Sequence, residues 1–541
     1  MAIHQISVFL ENRAGQLAEI TALLAKNGVD LRAINIAETS DYGVLRLIAS
    51  HEPEACRVLR ENGFIFSTSD VVAVGVPDAP GGLSTLLQLL AENSIDVHYM
   101  YSIFGQPNGM ACMILRVADP AAVSSLLAAN GIQPVRKRSA SSPQSNQERQ
   151  ANTMQEMSRK NKLFTDSVIR RMTRVALSCG AINLAQGFPD FDPPKALTDR
   201  LAEVSALGPH QYPITMGAPN FRQALARKAG RFMGRTLDPE TDMVVTIGST
   251  EAMVDTIFAL TNPGDKIIMF SPYFENYRAQ AIMADCEPIF VPLVPPAFNF
   301  DANVLEDAFK QGAKAILICN PSNPSGKVFT YDELKLISEL CIKYDAFAIM
   351  DEVYEHIVYE GHKHIYMNSL PGMWERTVSC SSLSKTYSIT GWRLGYAIAP
   401  KPIMDRIKQY HDFNTVGAPS PLMEAAVVGL DMPDSYYKEF GDHYAHMKKL
   451  FTDGLKQIGI PFTDPQGAYF VLADIGPYLR KGESDVDFCL EMAEKVGVAC
   501  VPGTSFFNEN VNNIVRVHFA KKDETLYEAL DRLSHLKEKM R

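Results

Sequence analysis

Seven short apolar runs, DMVVTIG, KIIMF, PIFVPL, AILIC, AFAIM, TVSCS and GYAIA, lie between Asp242 and Ala399, separated by amphipathic helical patterns. Each run is too short for a core helix and lacks the polar alternation of a half-exposed strand. Runs of this kind are strands buried on both faces, so helices must cover both sides of a mostly parallel sheet. That constraint predicts an α/β fold. It also places any ligand at the carboxyl ends of the strands, where the connecting loops converge.

The chain has 541 residues, too many for a single core. The stretch RKRSASSPQSNQERQANTMQ, from Arg136 to Gln155, is polar and nearly free of large apolar residues, as a solvated linker should be. In front of it the chain repeats itself. At an offset of 66 residues, ENRAGQLAEITALLAKNGVDLRAI falls over PDAPGGLSTLLQLLAENSIDVHYM, with Gly15, Leu17, Leu23 and Asp30 over Gly81, Leu83, Leu89 and Asp96. Each copy reads strand, glycine turn, helix, two strands, helix, which predicts a ferredoxin-like βαββαβ module occurring twice. The expected domains are 1–70, 71–136, a linker at 137–156, and 157–541. The doubled front section resembles tandem ACT domains. The resemblance implies amino-acid binding at the loop after the first strand, on Asn12, Arg13, Ala14 and Gly15, with Pro80 and Gly81 in the second copy. The plain alternative is that Gly15 and Gly81 merely make the tight turn and that the modules serve only dimer packing.

Bulk composition narrows the function. A net charge of −10 argues against a nucleic-acid partner, and no apolar run reaches membrane-spanning length. The amino terminus lacks a secretory pattern. Nine scattered cysteines without a CxxC pair read as buried free thiols of a reducing compartment, so the expected location is cytoplasmic, with neither metal nor disulfide.

The chemistry is concentrated after the strands. TVSCS is followed by SLSKTYSITGWRLGY, which places Lys385 just past a strand end, with Ser382 three residues before it and Arg393 eight after. A lysine in a desolvated pocket becomes a nucleophilic amine, and a hydroxyl beside a guanidinium suits a phosphate. With GWRLGY at this spacing, the segment is similar to that of class I aminotransferases of fold type I, which bind pyridoxal 5'-phosphate. The resemblance spans about 160 to 535. It implies a large and a small domain behind the two ACT modules, with Lys385 as the lysine that carries the cofactor and moves the substrate proton.

Other segments meet the family's pattern in order. Asp351 in MDEVYEH, taken alone as readily a helix cap, would pair with the pyridine nitrogen. Tyr354, and Asn323 in NPSNPSG, would hold the ring's phenolic oxygen. Ser249 and Thr250 in TIGSTEA would bind phosphate at a helix start. Phe274 in PYFENY would stack on the ring, and Tyr212 in HQYPITMGAP would reach across a homodimer to the phosphate. Gly187 in GFPDF and Arg516 in NNIVRVHFA would clamp the substrate α-carboxylate, although a lone strand arginine is more often a solvated face residue.

The implied reaction is ping-pong transfer between an amino acid and a 2-oxo acid, without metal. Thr250 stands where dicarboxylate-specific bacterial relatives carry Lys. GFPDF, HQYPITMGAP and EHIVYEGHKHI look like the glutamine–methionine–kynurenine branch, which implies large neutral or aromatic donors. The alternatives are a C–S β-lyase on the same fold and a non-catalytic amino-acid sensor.

Overall fold

A computed structural model describes residues 3–540 except 12–15, 39–41, 78–80, 104–109, 131, 133–157, 159, 161–162 and 164–165. The predicted linker and Asn12, Arg13, Ala14, Gly15 and Pro80 therefore lie outside the described residues. The chain divides into two compact units, Met1–Thr153 and Met154–Arg541. No helix among the described residues is long and apolar enough to cross a membrane.

The first unit runs β1 (Ile3–Glu11), α1 (Gln16–Lys26), β2 (Leu31–Glu38), β3 (Tyr42–Ala49), α2 (Glu52–Glu61), β4 (Phe66–Pro77), α3 (Gly82–Glu92), β5 (Val97–Ile103), β6 (Met110–Val117) and α4 (Pro120–Ala129). All six strands form one sheet in the order β2-β3-β1-β4-β6-β5. The predicted boundary at 70/71 falls inside β4. That strand pairs with β1 over Phe66–Val71 and with β6 over Val72–Pro77, so the modules share one strand. Period-two alternation then sorts the side chains. Ile6, Val8, Leu45 and Leu47 pack under α1 and α2, while Val72, Val74, Leu115 and Val117 pack under α3 and α4. The opposite face joins Ala33 and Ile48 to Tyr101, Cys112 and Ile114. Gln5, fully buried, donates to Tyr99 Oη (2.7 Å) and accepts from Tyr101 Oη (3.0 Å). Gly81 takes φ +93° ahead of α3, the left-handed turn that its lack of a side chain permits.

The second unit holds a seven-stranded sheet. Its strands are β8 (Met243–Ile247), β9 (Lys266–Ser271), β10 (Glu287–Pro292), β11 (Ala313–Cys319), β12 (Phe347–Asp351), β13 (Thr377–Ser382) and β14 (Leu394–Ile398), following β7 (Ile182–Asn183). These are the seven apolar runs. The order is β10-β9-β11-β12-β13-β14-β8, parallel except that β14 runs antiparallel to both neighbours. Helices α5 (Val168–Cys179), α6 (Lys195–Leu207), α7 (Pro219–Met233), α8 (Gly248–Leu260) and α9 (Glu275–Met283), with later ones, cover both faces. A smaller four-stranded sheet follows: β15 (Phe462–Thr463), β16 (Phe470–Asp474), β18 (Val501–Pro502) and β19 (Ile514–His518), with β17 (Val498–Ala499) pairing β7. Of the nine free cysteines eight are buried; Cys179, at the end of α5, is exposed, contrary to the expectation that all nine lie inside.

Candidate active site

The site grows from the carboxyl ends of β8, β11, β12 and β13. Where β8 ends, Gly248 opens α8 at φ +72°. A Cβ there would stand 2.1 Å from Arg393 Nη2, and one on Gly395 would stand 2.2 Å from the Gly248 carbonyl carbon. Only glycine at both positions lets β14 and the Arg393 side chain close on the helix start. Arg393 itself sits at φ +57°, a left-handed conformation costing a non-glycine residue about 1–2 kcal/mol. Its guanidinium donates to two neutral carbonyls, Thr390 O (3.0 Å) and Ile247 O (3.4 Å), and burial pulls its pKa down. A half-buried cation, a helix amino terminus and the hydroxyls of Ser249, Thr250 and Ser382 make an anion cup.

At the opposite end Asp351 closes β12. Burial pushes its carboxyl above the ordinary range, while the Tyr277 hydroxyl (2.6 Å to Oδ2) and the Val353 N–H (3.4 Å to Oδ1) oppose the shift. Tyr354, three residues on, is buried and meets Tyr469 edge-on at 5.3 Å.

Between these ends lies Lys385, in the one-turn helix Leu383–Thr386 directly after β13. It is half-buried rather than fully desolvated. Its Nζ donates to Gly187 O at 3.1 Å, an acceptor it shares with Tyr469 Oη at 2.7 Å. A Cβ on Gly187 would come 2.9 Å from Phe470 Cζ, so this close approach also demands glycine. Arg516 on β19 is 1% exposed and is no solvated face residue. Nη1 donates to Asn323 Oδ1 (2.8 Å), Nη2 to Ala185 O (2.6 Å), and Nε has no hydrogen-bond partner among the described residues. Burial brings its pKa down to about 10. A buried guanidinium with neutral partners and a free N–H is built to receive a carboxylate.

Eleven of the twelve residues expected around cofactor and substrate line one cavity of about 450 Å³: Gly187, Ser249, Thr250, Phe274, Asn323, Asp351, Tyr354, Ser382, Lys385, Arg393 and Arg516. Tyr212 does not. It is 86% exposed, on a loop whose Thr215 carbonyl meets His411. Sequence reasoning passed over Tyr277, Tyr469, Phe470 and Arg170. The first carried a signal, since it follows Phe274 by three residues and so shares its helix face. Phe470 and Arg170 are ordinary core and surface residues until the fold brings them to the cavity, and Tyr469 is a core residue until its hydroxyl meets the Gly187 carbonyl.

The description "Aminotransferase class I and II" matches residues 180–533, and "ACT domain pair" matches residues 1–141. The chain is 33% identical over 389 residues to a probable N-succinyldiaminopimelate aminotransferase of Mycobacterium tuberculosis, covering 70% of this chain and 97% of the relative. It is 32% identical over 383 residues to kynurenine–oxoglutarate transaminase 3 of Mus musculus, covering 65% and 84%. Among solved structures, N-succinyldiaminopimelate aminotransferase from Mycobacterium tuberculosis superposes with a TM-score of 0.68 at 33% identity, covering 70% of this chain and 100% of the other. YbdL from Escherichia coli, described as having a methionine aminotransferase function, gives 0.66 at 32% identity, covering 68% and 98%.

Proposed function

The chain belongs to the class I and II aminotransferase family and carries an ACT domain pair; from that premise we propose that it transfers the amino group of a large neutral or aromatic L-amino acid to a 2-oxo acid, using Lys385. Family membership makes the enzyme dependent on pyridoxal 5'-phosphate, which when bound acts as the electron sink for the bond broken at Cα.

The residues present fit that group. The cup of Ser249, Thr250, Ser382 and Arg393 suits a phosphate, and glycines at 248 and 395 leave no side chain to fill it. Asp351 would hold a protonated ring nitrogen. Asn323 and Tyr354 would hold the ring's phenolic oxygen, and Phe274 would cover a face of the ring. Arg516, with Gly187, would grip the substrate α-carboxylate, leaving Lys385 in the same cavity to serve the Cα hydrogen. That amine would take the proton and return it as general base and acid. The single observation carrying this reading is the convergence of Lys385, Asp351 and Arg516 on one cavity.

Apolar walls at Ile169, Phe274 and Phe470 support a neutral or aromatic donor, as do the kynurenine and methionine names among the relatives. A second reading has one specific observation behind it. Arg170 lines the same cavity, so a donor with a distal acid is the competitor, in keeping with the N-succinyldiaminopimelate relative. A panel of amino donors against 2-oxoglutarate and pyruvate decides between them. Turnover of aspartate and glutamate alone sinks the aromatic reading, and pyruvate and thiol released from cystathionine would indicate a β-lyase instead.

Tyr212 is exposed and does not line its own cavity, and Ile214 on the same loop and Val416, next to the Gly417 that approaches Pro213, are exposed as well, which supports a homodimer in which the loop serves a second copy. Nine thiols without a disulfide fit a reducing cytoplasm. The ACT pair would bind an amino acid that alters the rate, with a coupling of about 1–3 kcal/mol typical. Deleting residues 1–150 should then leave turnover intact and abolish any effect of added amino acids; unchanged inhibition after deletion refutes the regulation.

A further inference from the structure

Behind the anion cup lies a charged cluster that the chemistry above does not use. His411, in the helix Lys401–Asn414, has no exposed side-chain surface. Its Nε2 stands 2.7 Å from the carbonyl oxygen of Thr215, which can only accept, so Nε2 carries a hydrogen. Its Nδ1 stands 2.8 Å from Glu251 Oε1. That oxygen also accepts from Thr415 Oγ1 at 2.5 Å, while Oε2 accepts from the N–H of Ile247, the residue before the Gly248–Thr250 turn. Asp255, one turn further along α8, faces the ring with Oδ2 at 3.9 Å and accepts from Asn414 Nδ2 on Oδ1 at 2.6 Å, leaving Oδ2 without a hydrogen-bond partner among the described residues.

We infer that His411 is a positioning residue whose imidazolium pins the Tyr212 loop, through the Thr215 carbonyl, to the turn that forms the anion cup, through Glu251. The inference rests on the reading of that cup as the cofactor's phosphate site. Two geometric facts carry it. The ring bridges two segments 36 residues apart, Thr215 and Glu251, with one nitrogen each. The carboxylate it meets is bonded in turn to the backbone that aims the cup's N–H groups. The groups facing the ring are Glu251 and Asp255 from α8, the Thr215 carbonyl from the loop, and Thr415 just past its own helix end, while Asn414 in the last turn holds Asp255. Burial alone would strip the ring of charge, but the bonds to Glu251 and Thr215 outweigh it and hold the pKa above the ordinary value. Burial would likewise raise Glu251, yet His411, Thr415 and Ile247 hold it below the ordinary range, so both partners point to an ionised pair. Burial pushes Asp255 up to about 7, so one of the two acids readily stays neutral beside a single imidazolium. Because the ring's pKa is raised, the latch is fully formed below about pH 6.5 and is lost as pH rises through the raised value.

The test compares pyridoxal 5'-phosphate with pyridoxal, which lacks the phosphate, in the full-length apo-protein and its His411→Gln and Glu251→Gln variants. Each variant should bind the phosphorylated cofactor about tenfold more weakly, the scale of one charge-assisted hydrogen bond. The double variant should lose little more than either single one, and pyridoxal binding should not change. Wild-type affinity should fall from neutral to alkaline pH more steeply than that of His411→Gln. Equal weakening of both ligands would mean general destabilisation and overturn the inference. So would His411→Gln matching the wild type, or a stoichiometric metal ion in wild-type protein that both variants lose. Wild-type protein that does not prefer the phosphorylated form overturns the cup reading itself, before any variant is compared.

Discussion

Arg516 Nη1 donates to Asn323 Oδ1 across 2.8 Å, joining the small sheet to the turn after β11. This bond aims a buried guanidinium into the cavity before any substrate arrives. Arg516→Lys keeps the charge but loses the fork, so kcat/KM for every amino donor should fall about 10- to 150-fold, the worth of a charged contact of ~1.5–3 kcal/mol. Steady-state kinetics with two unrelated donors checks this; a loss confined to one donor would assign Arg516 to side-chain recognition.

The Tyr277 hydroxyl stabilises the charged form of Asp351. Tyr277→Phe removes that donor, so the carboxyl, already raised by burial, should hold its proton to still higher pH. Activity that needs the carboxylate should then fall away sooner on acidification, with the acid limb of the kcat profile displaced upward. Superimposable wild-type and variant profiles would exclude the coupling.

Gly187→Ala forces a methyl group to 2.9 Å from Phe470 and 3.0 Å from Tyr469. The cost should be about 1–3 kcal/mol of overpacking, together with displacement of the Gly187 carbonyl from Lys385. Calorimetry and KM should both move. An unchanged KM with a lower melting temperature would restrict Gly187 to packing.

Lys228 and Glu355 form a buried ion pair at 2.6 Å, and Tyr366 Oη donates to the same carboxylate at 2.6 Å. Burial alone would raise the Glu355 pKa, but Lys228, together with His356, outweighs it and holds the carboxyl well below its ordinary range. A depressed carboxylate stabilises the fold above its unfolded pKa of about 4.3 and loses that contribution as pH falls through the folded value. Lys228→Met strands the carboxylate and should cost about 3–5 kcal/mol. Replacing both partners with apolar residues should recover much of this in thermal melts at neutral pH; a double variant no more stable than Lys228→Met would show that the surrounding hydroxyls require a charge.

The seven strands were legible because burial on both faces writes continuous apolar runs into the chain, and Lys385, Asp351 and Asn323 because each follows such a run directly. The antiparallel direction of β14 was not legible, since pairing direction leaves no mark on an apolar run. Neither was His411, whose partners lie 196 and 160 residues away and whose local surroundings are an ordinary amphipathic helix. Tyr469 and Arg170 were lost in the same way. The exposure of Cys179 followed from its place in the last turn of α5, where one face of the helix meets solvent.

Strand β4 belongs to both halves of the amino-terminal sheet. The duplicated sequence therefore does not describe two beads on a string. A cut between Asp70 and Val71 would sever one continuous ladder and leave each half with a raw edge. Any twist imposed on one half is geared to the other through a single backbone, with no joint to absorb it.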